Sequence, residues 1–189
     1  MDTSKTRYID TADCAKMLRK QLKKSFPGAK FSVKISRYSG GSSMRVAWVD
    51  GPTVKQVRAV SDPYAGASFD GMIDMQHYNK AILLKDGTVT YGESQGTLGS
   101  RGVDPGYKFE LPEGAEWVRM GSDYVHTDRE YSNEFAKSAV DQFNKEELRA
   151  DEPVIRTEMT KWGLRILCDD QSYNGPFNRF YQFMGDREG

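Results

Sequence analysis

Phe31-Ser32-Val33-Lys34-Ile35-Ser36-Arg37-Tyr38-Ser39-Gly40-Gly41-Ser42-Ser43-Met44-Arg45-Val46-Ala47-Trp48 is the stretch that decides the fold. Phe31, Val33 and Ile35 alternate with Ser32, Lys34 and Ser36. After Ser39-Gly40-Gly41-Ser42, Met44, Val46 and Trp48 alternate with Arg45, Ala47 and Val49. A period of two on both sides of a glycine turn reads as a β-hairpin. Upstream, Cys14, Ala15, Leu18, Leu22 and Phe26 recur at helical spacing, opened by Asp10 or Thr11 as cap and closed by Pro27-Gly28. Downstream, Asp50-Gly51-Pro52-Thr53 starts a second helix with Val54, Val57 and Val60 inward, stopped at Asp62-Pro63. Residues 10–63 therefore read α-β-β-α, a unit whose two helices can cover one face of the hairpin.

The fold class that follows is α+β: two layers, a mainly antiparallel sheet and about three helices, in a single domain over residues 1–189. Residues 81–84 and 88–91 read as a hairpin around Asp86-Gly87, inside a glycine-rich insertion at 80–118. Lys108 to Leu111 and Trp117 to Met120 are short strands. Residues 121–189 hold a helix from about Ser132 to Leu148, with Phe135, Ala139, Val140 and Phe143 buried. A late strand through Trp162, Leu164, Ile166 and Cys168 follows, then a tail rich in Tyr173, Phe177, Phe180, Tyr181 and Phe183. Core packing accounts for that tail, with a partner-facing patch as the alternative.

The 189 residues carry 27 Lys+Arg and 27 Asp+Glu, but unevenly. Residues 1–60 hold 13 basic against 4 acidic residues, and the remainder 14 against 23. Such a block attracts anions if its cations gather on one side of the folded molecule. Lys16, Arg19, Lys20, Lys23 and Lys24 on the first helix, with Arg37, Tyr38 and Arg45 beside the hairpin turn, are the candidate binding residues. They suit phosphate contacts and base stacking. Gln21 is the only amide on that helix, which argues against reading of base edges.

Asp123, His126, Asp128, Arg129 and Glu130 crowd one stretch. His126 with Asp128 and Arg129 is the candidate acid–base group of an alternative enzyme reading. Capping and ion pairing at a strand-to-helix junction explain the same residues. The Ser39–Ser43 turn lacks the lysine and the following helix of a P-loop. His77 and His126 are isolated, and Asp70 with Asp74 is a commonplace spacing, so neither metal nor cofactor is expected. Cys14 and Cys168 read as free buried thiols. With no signal-peptide or membrane-spanning run, a cytoplasmic protein is expected.

Several short strings occur in a telling order. They are Thr11-Ala12-Asp13, Phe26-Pro27-Gly28, Ser36-Arg37-Tyr38-Ser39-Gly40-Gly41-Ser42-Ser43, Trp48-Val49-Asp50-Gly51-Pro52-Thr53 and Phe69-Asp70-Gly71-Met72-Ile73-Asp74. Gly121-Ser122-Asp123-Tyr124-Val125 then precedes Arg129 and Ser132. In these the chain resembles the large polyvalent protein-associated domains of phages and conjugative elements, over roughly residues 10–148 with an interruption at 80–118. The resemblance implies a mobile-element protein in counter-defence, of anti-CRISPR or anti-restriction type. It would bind a host defence complex, or the nucleic acid that complex handles, in the host cytoplasm. It supplies no catalytic residue. The alternative is a small enzyme acting on a nucleotide or protein target through Asp123–Arg129.

Overall fold

The computed structural model describes residues 6–72, 74–91, 111–161, 163–172 and 174–188. Residues 92–110 of the glycine-rich insertion, with all but the last residue of the strand expected over Lys108 to Leu111, and Ile73, Trp162 and Tyr173 lie outside them. By contacts the chain divides into two compact units. Unit 1 comprises Met1–Ala47 and Lys55–Asp128; unit 2 comprises Trp48–Val54 and Arg129–Gly189.

Unit 1 opens with β1 (Arg7–Ile9), then α1 (Thr11–Ser25), β2 (Phe31–Tyr38) and β3 (Gly41–Val49). Asp10 caps α1, its Oδ2 accepting the Ala12 N–H at 2.9 Å. Thr11, the other candidate cap, is buried instead. Of the stripe expected from the sequence, Cys14, Ala15, Leu18 and Leu22 are fully buried, Phe26 is the half-buried C-cap, and α1 packs on β2. Burial of each leucine contributes roughly 2 kcal/mol. On β3, Met44, Val46 and Trp48 are buried as the alternation requires.

The second helix, α2, spans Val54–Ser61, and only Val57 of its three valines is fully buried. The helix stops before Asp62-Pro63, as expected, and a 3-10 turn over Asp62–Tyr64 follows with the proline in its first turn. The expected α-β-β-α order is thus present, preceded by a short strand.

Beyond it lie β4 (Ala67–Asp70), β5 (Met75–Tyr78), β6 (Ala81–Leu83), β7 (Val89–Tyr91), β8 (Glu116–Met120) and β9 (Tyr124–Glu130). One sheet runs β1-β8-β6-β7, a second β2-β3-β9, and β4 pairs with β5 alone. Most pairings are antiparallel, while β1 and β8 are parallel. At the two ends of β3, Asp123 donates to the Ser42 carbonyl and Asp50 to the Glu130 carbonyl. These bonds advance in the same sense, so β3 and β9 are parallel too.

Unit 2 contains α3 (Asn133–Glu146), β10 (Arg156–Thr160), β11 (Gly163–Leu167) and α4 (Pro176–Gly185). Its core joins Ala139, Val140, Phe143, Ile155, Cys168, Phe180 and Met184. The aromatic tail is a fourth helix beyond the three expected. Phe180 and Phe183 meet Phe143 edge-on at 5.6 and 5.4 Å, which favours the core-packing reading. Both cysteines are free and buried, and desolvation raises the Cys14 thiol above its ordinary pKa. No described helix is long and apolar enough to cross a membrane.

Candidate functional site

Strings far apart in sequence meet in unit 1. The Thr11 hydroxyl lies 2.7 Å from the Ser42 hydroxyl, and both are within 2.9 Å of the Gly121 carbonyl. Asp123 Oδ2 accepts the Ser42 N–H at 3.0 Å and the Tyr38 hydroxyl at 3.3 Å. Thr11 and Ser42 are buried, so these bonds satisfy groups whose exposure to a dry interior would otherwise cost about 1–3 kcal/mol each. Two glycines make the approach possible. A Cβ on Gly41 would stand 2.0 Å from Asp123 Oδ2, and one on Gly121 would stand 2.8 Å from the Ile9 carbonyl oxygen.

A second cluster forms within unit 2. Trp48 donates its indole N–H to the Pro52 carbonyl at 2.9 Å, closing a turn in which Asp50 has φ +53°. Asp50 Oδ1 accepts the Ser132 N–H at 2.8 Å, and Ser132 Oγ in turn accepts the Phe135 N–H at the start of α3. Arg129 spreads its guanidinium over the carbonyls of Asp50, Gly51, Gly185 and Arg187. Its face lies over Tyr131 and Phe135. Each cluster is a scaffold.

Of the alternative acid–base group, His126 and Asp128 stand two apart on β9 and so share one face of the strand. Asp128 pairs with Arg45 at 2.6 Å. Arg129 is occupied by backbone carbonyls, and successive side chains on β9 face opposite ways. His126 is exposed, its ring 6.4 Å from that of Tyr124. Asp70 accepts the Met72 N–H in a local turn. Among the described residues no three His, Cys, Asp or Glu side chains gather as a metal site.

The candidate binding residues divide into two kinds. Lys16 pairs with Asp13 at 2.9 Å, Lys24 with Asp86 at 3.2 Å and Arg37 with Asp10 at 3.7 Å, besides Arg45 with Asp128. Arg19 donates to the Val33 carbonyl, and Tyr38 is tied to Asp123. Lys20 and Lys23 are exposed on α1 with no ion pair among the described residues. Gln21 faces inward, its Oε1 accepting the Tyr64 hydroxyl at 2.6 Å and the Val89 N–H at 3.2 Å. Burial raises the Tyr64 phenol well above its ordinary pKa. Asp86, which accepts two hydrogen bonds from Thr88 as well as the Lys24 contact, is lowered to about 2.

Counted by unit, the charge imbalance is smaller than along the sequence. Unit 1 contains 18 Lys+Arg against 14 Asp+Glu, and unit 2 contains 9 against 13.

The strings that meet in these two clusters are those of a known family. The family model for large polyvalent protein associated domain 29 matches residues 9–132. The chain belongs to this family. The match begins at the end of β1 and closes at Ser132, the cap of α3, so it is shorter than the 10–148 suggested by the strings. Helix α3 and everything after it lie beyond it. No curated protein matches, and no solved structure matches.

The glycine that sequence reasoning missed is Gly66, whose N–H reaches the Ser122 carbonyl at 2.7 Å. A Cβ there would stand 2.0 Å from the Met120 carbonyl oxygen. Its sequence neighbours, Tyr64-Ala65 and Ala67-Ser68, carry no turn signature that marks so close an approach.

Proposed function

We propose that this chain is an accessory protein of a phage or plasmid that acts in counter-defence by stoichiometric binding. Its target is a host defence complex or the nucleic acid that complex handles. The observation that carries this reading is where the polar side chains of the family strings go. Thr11, Ser42 and Asp123 in unit 1, and Asp50, Arg129 and Ser132 in unit 2, bond backbone or one another, and so serve to build a support within each unit. What the support in unit 1 displays is a basic helix.

Lys20 and Lys23 form the centre of the contact on α1, which is free to meet an anionic surface. Lys16, Lys24, Arg37 and Arg45 border it. Their ion pairs are exposed, and pairs of that kind contribute only about 0–1 kcal/mol. An acidic partner can therefore take over these cations at little cost. Excess positive charge on unit 1 speeds encounter with such a partner, and charge-assisted contacts slow its release.

The test is affinity capture from host lysate by the wild type and by the double variant Lys20→Glu/Lys23→Glu, with and without nuclease. Capture of a defined complex that survives nuclease and is lost on charge reversal supports a direct protein target. Recovery of nucleic acid alone, stripped by salt, assigns the contact to the phosphate backbone. Undiminished capture by the double variant removes α1 from the interface.

A further inference from the structure

The β4–β5 hairpin of unit 1 carries a family string, Phe69 to Asp74, that neither scaffold cluster uses. Phe69 is 57%, Met72 93%, Met75 53% and Tyr78 60% exposed. Every residue of β5 is exposed, and among the described residues this sheet has no third strand. An exposed edge strand is a template for pairing with another chain.

The hydrogen-bond pattern says which groups are on offer. Asn79 donates to the Gly66 carbonyl, and the register pairs Ser68 with His77 and Asp70 with Met75. Antiparallel pairs alternate between bonded and non-bonded. The bonded pairs are therefore Gly66/Asn79, Ser68/His77 and Asp70/Met75. Gln76 and Tyr78 turn their own N–H and C=O groups to the open side.

We propose that this edge pairs with the same edge of a second copy of the chain, antiparallel about a two-fold axis at His77. That register sets Gln76 opposite Tyr78 of the second copy, so the outward groups of both are used. It also sets Asp74, just before β5, opposite Lys80 of the second copy, twice by symmetry. Neither Asp74 nor Lys80 has an ion pair among the described residues. The charge match selects this register over the one centred on Gln76, which places Asp74 opposite Tyr78. Self-complementarity of this sort is what a two-fold interface demands.

Sedimentation velocity of the purified full chain over about 1–200 μM tests this, since one strand edge per protomer makes a small interface of modest affinity. The wild type is expected to show a reversible monomer–dimer equilibrium. Gln76→Pro removes an outward N–H that β4 does not use, and is expected to leave a folded monomer. Lys80→Glu sets like charges opposite each other and is expected to weaken the dimer about tenfold or more at low salt. Raising salt should then strengthen the variant dimer while weakening the wild-type one. A wild type that is monomeric throughout overturns the proposal. So does a dimer indifferent to Gln76→Pro and Lys80→Glu.

Discussion

Gly66→Ala puts the scaffold under the most direct strain. Its new Cβ would stand 2.0 Å from the Met120 carbonyl oxygen, 2.9 Å from the carbonyl carbon and 3.0 Å from the Ser122 carbonyl oxygen. All three are backbone atoms, so no side chain can swing aside. Relief requires pulling the start of β4 away from residues 120–123. That movement breaks the bonds from Gly66 N–H to Ser122 at 2.7 Å and from Ala67 N–H to Asp123 at 3.0 Å. Two buried backbone bonds and residual overlap together cost about 3 kcal/mol. For a chain of this size that lowers the melting temperature by about 6–12 °C. Gly28→Ala is the matched control, with nothing within 4 Å of its Cβ, and it should melt at or slightly above the wild type. Circular dichroism melts of the three proteins decide the matter. A Gly66→Ala melt within about 1 °C of wild type would refute the reasoning.

Other consequences follow from the same geometry. Arg129→Lys replaces a planar fork that spans four carbonyls by a single ammonium, and should cost about 2–3 kcal/mol in urea unfolding. The Asp86 carboxyl should titrate by NMR near 2, and Thr88→Val should move that midpoint upward. Its folded pKa lies below the unfolded value, so the stabilisation it contributes is present above about 4 and lost as pH falls toward 2. Lys20→Glu/Lys23→Glu should change stability by less than about 0.5 kcal/mol while abolishing the biological effect. His126→Ala should leave that effect intact, and its loss in this variant would revive the enzymatic alternative.

How much of this was legible in the sequence depends on the range of the interactions involved. The hairpin 31–48 and helices α1 and α3 are set by local period and capping, so Phe31, Leu18 and Ser132 announced them. The β4–β5 hairpin was missed because only Ala67 of Ala67-Ser68-Phe69-Asp70 is buried and Met75-Gln76-His77-Tyr78 is exposed throughout, and alternation is visible only where one face is buried. Strand β10 escaped for the same reason, since four of its five residues are exposed. The basic residues were visible as a composition, but the partners Asp86 and Asp128 lie 62 and 83 residues away from Lys24 and Arg45. No local pattern encodes such pairs. The family strings were readable as strings; that they hold one another together emerged only from the contacts among Thr11, Ser42 and Gly121.

Native mass spectrometry of the complex captured from host cells measures the central claim most directly. Binding as the mode of action predicts a fixed molar ratio of this chain to its target, retained by His126→Ala and lost by Lys20→Glu/Lys23→Glu. A target altered covalently, with no lasting complex and with full effect at far less than one chain per target, would contradict it.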